Sequence, residues 1–290
     1  MPFRSVAQLA ASEDTEGRHW RSSLFKATTP ATNALTWGDA SIGTGTPVYN
    51  AYVGNQYEFT PLTGSGNRSI YPGPAIAAGQ TRHVTSVMAV SQSNLNPATL
   101  LFADYLGFYP LIDSDSLDVQ TLDNTASLTR YTNGVGVRAF LVVQVPQTAN
   151  AVAACTVNYT NQAGTAGRSV TFGVIGQSVI GSLCSQASTT GIVSTEPLAP
   201  FVPLASGDTG LRSVQSVTFS GGIGGFVNVV LCRPLFHLAM PVNSIAAEKH
   251  LLLHDGRVPE LLPGAFLQFL AHKNGSGSLA VLGQLDFNWS

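Results

Sequence analysis

The amino-acid sequence predicts an all-β protein: an antiparallel β-sandwich or jelly-roll-like body, an extended N-terminal arm and one or two short helices. Three observations carry this reading. Gly (29) and Pro (16) stand among abundant Thr, Ser and Asn, a mixture that favours turns and strands. Short apolar or alternating runs recur between glycine-bearing turns, as in sandwiches and jelly rolls. Helical signals are confined to a few short stretches, and no repeat of fixed period is visible.

Residues 1–26 hold seven charges and predict a short helix, with Ser12 as N-cap before Glu13, Asp14 and Glu16. Residues 27–80 have weak apolar periodicity and are punctuated by Gly and Pro. Residues 1–80 are therefore expected to form an arm with short hairpins, and 81–290 the sandwich body. Isolated aromatics on such an arm anchor it against a body or a neighbour, which makes Trp37, Tyr49, Tyr52 and Tyr57 interface candidates.

From Thr81 the pattern becomes regular. RHVTSVMAV (82–90) alternates, with Val84, Met88 and Val90 on one face, and AFLVVQV (139–145) is a continuous core-strand run. TVNYT (156–160) and SVTFGVI (169–175) flank a glycine-bearing turn and read as a hairpin. SVQSVTF (213–219) and FVNVVLC (226–232), joined by SGGIGG, read as a second. AFLQFLAHK (265–273) and SLAVLGQLDFNW (278–289), joined by NGSG, read as a third. Two stretches suggest helix. In 94–108, Asn96 can cap with Pro97 at the first helical position. In 237–256, Ser244 can cap a short helix that Gly256 ends.

Charge is scarce. Charged residues make up 10% of the chain, against about a quarter in an ordinary soluble domain. Between Ala139 and Ala247 only Arg168, Glu196, Asp208, Arg212 and Arg233 are charged, and lysine occurs only at 26, 249 and 273. Ser, Thr, Asn and Gln interrupt this region every few residues, so it is no membrane span, which needs roughly 18 successive apolar residues. A net charge of −2 supplies no basic footprint for nucleic acid. A neutral, β-prone surface suits a protein whose faces meet other subunits, copies of itself among them. Outward positions of the 156–172 hairpin, Asn158 and Thr171, join the interface candidates.

Cys155, Cys184 and Cys232 are odd in number and widely separated, so buried free thiols are expected in place of disulfides or zinc. The first twenty residues lack the apolar core of a secretory leader, and assembly in a reducing cytoplasm is expected. Asp113, Asp115 and Asp118 resemble the opening of a calcium loop, yet the glycine and distal glutamate of an EF-hand are missing. A solvated turn is expected there. His250 and His254 have the i, i+4 spacing of zinc ligands, but Leu251 stands where a metalloprotease has its glutamate. Glycines 221, 222, 224 and 225 lack the lysine of a phosphate loop. There is no G-x-S-x-G elbow and no evident pair of catalytic carboxylates. No enzyme activity, cofactor or resident metal is expected.

Two stretches, ADYLGFYPLIDSDSLDVQTLDNTASLTRYTNGVGVRAFLVV (103–143) and VNYTNQAGTAGRS (157–169), with SIYPGP at 69–74, carry a resemblance. They resemble a group of otherwise uncharacterised structural proteins of tailed bacteriophages. In that group a DYL-x-x-YP-x-ID segment, an L-x-RYT-x-G-x-GV segment and a YTN-x-x-G-x-x-GR hairpin recur in this order. Residues 69–175 match closely and the C-terminal hairpin loosely, with Thr129 standing where proline is expected. The resemblance implies a virion component, capsid-associated or decoration-like, with the major capsid protein as partner, and it brings no catalytic residues. A tail, collar or baseplate location and a carbohydrate- or receptor-binding module using the aromatics of 37–71 remain the alternatives.

Overall fold

A computed structural model describes the chain except residues 1, 2, 4, 15, 30–35, 65, 94–96, 185–199 and 276. Strand accounts for 47% and helix for 7%, as the all-β reading requires. The chain opens with α1 (Val6–Asp14), β1 (His19–Thr28), β2 (Trp37–Asp39), β3 (Thr44–Thr46) and β4 (Thr60–Pro61). The middle is β5 (Arg82–Ser91), β6 (Ala98–Asp113), β7 (Gln120–Thr121), β8 (Arg138–Val145), β9 (Val152–Asn161) and β10 (Arg168–Ile175). It ends with β11 (Leu211–Phe219), β12 (Phe226–Met240), β13 (Ala247–His250), α2 (Leu251–Asp255), β14 (Glu260–Leu261), β15 (Leu267–Lys273) and β16 (Val281–Trp289).

These strands form three antiparallel sheets. A central sheet runs β2-β15-β6-β12-β8, with β4 also on β6. A second runs β13-β5-β16-β1-β3, with β14 also on β5, and a four-stranded sheet runs β10-β9-β11-β7. The two long strands β6 and β12 are paired along the middle of the central sheet and serve three cores. Leu100 and Phe102 enter the core shared with Val84, Leu285 and Phe287 of the second sheet. Leu106, Tyr109 and Ile112 enter the core shared with Cys155, Val157, Tyr159, Phe172 and Val217 of the four-stranded sheet. Ala103, Tyr105 and Phe108 pack with Trp37, Tyr52 and Phe266 in the third.

That double duty explains why the sequence of β6 suggests a helix start. A strand buried on both faces shows no alternation, and its Leu and Ala content mimics a helix. Asn96, the proposed cap, lies outside the described residues. Ser12 is not an N-cap but an interior residue of α1, donating to Leu9 O at 2.7 Å and accepting from Asn288 Nδ2 at 3.0 Å. Gly256 ends α2 in the left-handed conformation, as expected, but Ser244 does not begin it; β13 intervenes.

Register and pairing bring further corrections. In β5, Val84 lies opposite Phe287 and Ser86 opposite Asp286, so Thr85 is an extra residue. This bulge switches the inward set from Val84 to Val87 and Ala89 and leaves Met88 outward. The hairpin β9–β10 is present. The other two expected hairpins are not: β11 and β12 belong to different sheets, as do β15 and β16. Alternation is the same for a strand that pairs with its neighbour and one that crosses to the facing layer. At the β11–β12 crossing, Gly224 and Gly225 have φ of 73° and 69°, and a Cβ on Gly225 would sit 2.4 Å from Val145 O. Only glycine fits there.

Residues 1–80 do not stand apart as an arm. β1 is hydrogen-bonded between β16 and β3, while Trp37, Tyr52, Phe59, Leu62 and Ile70 are buried in the body. Their weak periodicity arises because the segment after β1 covers the sheets with loops anchored by single aromatics. Asp39 shows how. Its buried carboxylate accepts from Tyr52 Oη at 2.5 Å, Tyr105 Oη at 3.0 Å, Ser41 N at 2.9 Å and Ser41 Oγ at 2.8 Å. Burial pushes the Asp39 carboxyl up, against those four hydrogen bonds.

Candidate interaction face

β9 alternates strictly. Cys155, Val157 and Tyr159 are buried, and Thr156, Asn158 and Thr160 face out. Outward residues of the adjoining strands line up with them. Thr171, Thr156 and Thr218 form one row across β10, β9 and β11. Ser169, Asn158, Ser216 and Thr121 form the next, reaching β7. Thr156 Oγ1 and Thr171 Oγ1 are 2.8 Å apart, and Asn158 Nδ2 donates to Ser216 Oγ at 2.8 Å. Gln215 donates to Thr160 Oγ1 and accepts from Gly167 N, each at 3.0 Å. The result is a face of hydroxyls and amides without a charge in either row.

The charges of this region are occupied within the chain. Arg168 Nε donates to Asp208 Oδ2 at 2.8 Å, and Asp208 also accepts from Tyr159 Oη at 2.6 Å and Asn161 Nδ2 at 2.7 Å. Burial opposes ionisation of Asp208, but the bonds from Tyr159, Arg168 and Asn161 outweigh it and hold the carboxyl below its usual range. Burial, then the bond to Asp208, pushes the Tyr159 phenol up to about 12. Arg212 Nη2 donates to Gln162 O at 2.7 Å, and Arg233 donates to Val135 O and lies over the Tyr131 ring at 5.6 Å. Glu196 lies outside the described residues.

Lysine is equally withdrawn. Lys26 and Lys273 are buried, and Lys249 bonds Asp255 at 2.9 Å and His237 O at 3.2 Å. Lys26 Nζ donates to Gly43 O at 3.1 Å and Pro47 O at 2.6 Å.

The other candidates are dispersed. Tyr49 is exposed, and Tyr57 is half-buried with its hydroxyl 3.2 Å from Gln120 Oε1. Trp37 and Tyr52 are buried against this chain's own strands, so neither is free to meet a partner or to build a sugar platform. The Asp113 carboxylate accepts from Asp115 N at 2.9 Å, and Ser116 Oγ accepts from Asp118 N at 3.2 Å, as in a self-capped turn. Among the described residues, no group of three or more His, Cys, Asp or Glu could hold a metal ion. His250 instead pairs with Glu248 at 3.1 Å, and His254 Nδ1 lies 2.8 Å from His250 O. All three cysteines are buried free thiols.

One cluster brings hydroxyl, carboxylate and imidazole together. Ser86 Oγ donates to Asp286 Oδ2 at 2.6 Å, and His19 Nε2 lies 3.4 Å from Asp286 Oδ1. The carboxylate is between hydroxyl and imidazole, whereas nucleophile activation needs the imidazole there. A cleft of about 480 Å³ lies between residues 71–82 and 260–265, lined mainly by Pro, Ala and Gly.

The sequence missed a buried ion pair. Arg130 and Asp104 lie in the two quoted segments RYT and DYL, and the fold brings them into bidentate contact. Two lone opposite charges in otherwise uncharged segments were the available signal.

No protein-family model matches the chain, and no curated protein matches it. Two solved structures align over 93% of it: infectious bursal virus-derived T=1 particles and the infectious bursal disease virus VP2 subviral particle. The first is 10% identical, with 77% of that chain covered and a TM-score of 0.16. The second is 9% identical, with 80% covered and a TM-score of 0.15. Scores this low establish no shared fold.

Proposed function

We propose that the chain is a non-enzymatic structural component of a bacteriophage virion, assembled in the host cytoplasm. In this reading it is a capsid-bound decoration or minor capsid protein that stabilises the shell through neutral subunit contacts. The observation that carries the reading is the two-row hydroxyl and amide face of β10-β9-β11-β7, whose rows hold no charge and whose flanking Arg168 is paired with Asp208. Covering such a face desolvates no ion, so its hydrogen bonds can be exchanged for those of a partner at modest cost. The resemblance of residues 69–175 to tailed-phage structural proteins supplies the setting, and the major capsid protein is the partner proposed. The burial of Trp37 and Tyr52 weighs against a receptor-binding module built on aromatics 37–71.

Copy number tests this. Quantitative gels of purified particles should show the protein in fixed proportion to the major shell protein. A few copies per particle would favour a tail, collar or baseplate position and would overturn the decoration reading.

A further inference from the structure

Among the described residues β10 is an edge strand, and it pairs only with β9. The even-numbered residues of β10 point their backbone groups at β9, as the next bond in the series, Gly176 N–H to Ala151 O at 2.7 Å, indicates. The N–H and C=O of Ser169, Thr171, Gly173 and Ile175 therefore face away. Ile175 N–H is taken by Cys184 O at 3.4 Å, whereas the Ser169 and Thr171 N–H groups meet no partner among the described residues. Both side chains are exposed. Edges left open are normally guarded by lysine, proline or an inward charge. Residues 169–175 contain none of these, and Arg168 is held by Asp208.

We infer that this edge pairs with the same edge of a second copy of the chain, antiparallel about a two-fold axis at Val170. The geometry is self-complementary. With Val170 opposite its counterpart, Ser169 of each copy faces Thr171 of the other. Each such pair exchanges two N–H···O bonds through the outward groups. The side chains also match, because hydroxyl meets hydroxyl and no charge is brought beside another. The row Thr218–Thr156–Thr171 then continues into Ser169–Asn158–Ser216 of the second copy, joining two four-stranded sheets into one of eight strands. A two-fold closes after two copies, so the open edge is consumed without growth into a filament.

This pairing needs no shell, so its failure would leave the virion reading standing. Light scattering of the purified full chain at ~100 µM, where a weak interface is still occupied, should give twice the 30.4 kDa monomer mass. Ser169→Asp with Thr171→Asp places like charges opposite each other and should give monomers, as should Ser169→Lys with Thr171→Lys. Mixing the acidic and basic double variants should restore a 1:1 dimer, which a general folding defect cannot do. Thr171→Pro, which removes one outward N–H and leaves the β9 ladder intact, should also be monomeric. A monomeric wild type, an acidic variant that still dimerises, or no association in the mixture would overturn the inference.

Discussion

The guanidinium of Arg130 clamps the carboxylate of Asp104, Nε to Oδ2 at 2.9 Å and Nη2 to Oδ1 at 2.8 Å, with both side chains almost wholly buried. The pair is satisfied on all sides. Arg130 also donates to Leu62 O at 3.0 Å and Tyr105 O at 2.9 Å, and Asp104 Oδ1 accepts from Phe266 N at 2.8 Å. Burial raises the Asp104 carboxyl, while Arg130 and Phe266 N pull it down. The pair thus ties the 62–63 loop, β6 and the entry to β15 to one point.

Removing one partner strands the other as a buried charge. Asp104→Ala and Arg130→Ala should each lower stability by ~3–5 kcal/mol in denaturant titrations. The double variant should lose less than the sum, because no charge is left uncompensated. Single losses under about 1 kcal/mol, or simple additivity, would show that the pair does not act as a unit.

Alkali should stabilise the protein before it destabilises it. Burial lowers Lys26 and Lys273 from 10.5 to about 8, with Asp39 opposing this at Lys26. A lysine lowered in the folded state destabilises the fold wherever both states are charged. That cost is full below the folded value near 8 and fades as pH rises towards 10.5. The thiols act in the opposite sense. Burial raises Cys155, Cys184 and Cys232 above 9.0, so the unfolded chain's thiols ionise first, half of them by pH 9, and draw stability down. Between pH 8 and 9 the two lysines outweigh the three partly ionised thiols, and the net rise should be about 1 kcal/mol. Lys26→Met should remove about 1 kcal/mol and leave stability nearly flat across the window. A flat or falling wild-type stability across this window would contradict the burial of both amines.

The hairpin β9–β10 separates core from face residue by residue. Phe172 is 1% exposed in the core with Val157 and Val217, whereas its neighbour Thr171 is on the outside. Phe172→Ala should cost ~3–5 kcal/mol, and Thr171→Ala under ~0.5 kcal/mol. A loss below about 1 kcal/mol at Phe172 would mean the register is shifted by one.

That hairpin was also the part most legible in the sequence. Strict alternation on β9 places Tyr159 inside and Asn158 outside without reference to any partner strand. β6 was illegible for the converse reason: Leu100, Phe102, Tyr105 and Phe108 serve different cores, and the lost period left only residue preferences, which point to helix. The strand partners of β12 and β16 were hidden because a turn between alternating runs is the same whether the chain folds back or crosses a sandwich. Isolated aromatics such as Trp37 and Tyr52 fit anchors against a body or against a neighbour, and here they pack on the chain's own central sheet. Nothing local distinguishes the two cases.

The most direct test of the central claim is retention of the protein on purified particles washed at ~1 M NaCl, where electrostatic screening acts within ~3 Å. Attachment through the uncharged face should survive the wash, since neutral hydrogen-bonded and apolar contacts scarcely respond to screening. Asn158→Asp, placed mid-face and away from the β10 edge, should prevent incorporation, because desolvating an unpaired charge costs several kcal/mol. Release of the wild type by salt, with the Asn158→Asp protein still bound, would contradict the account and assign the attachment to the chain's few charges.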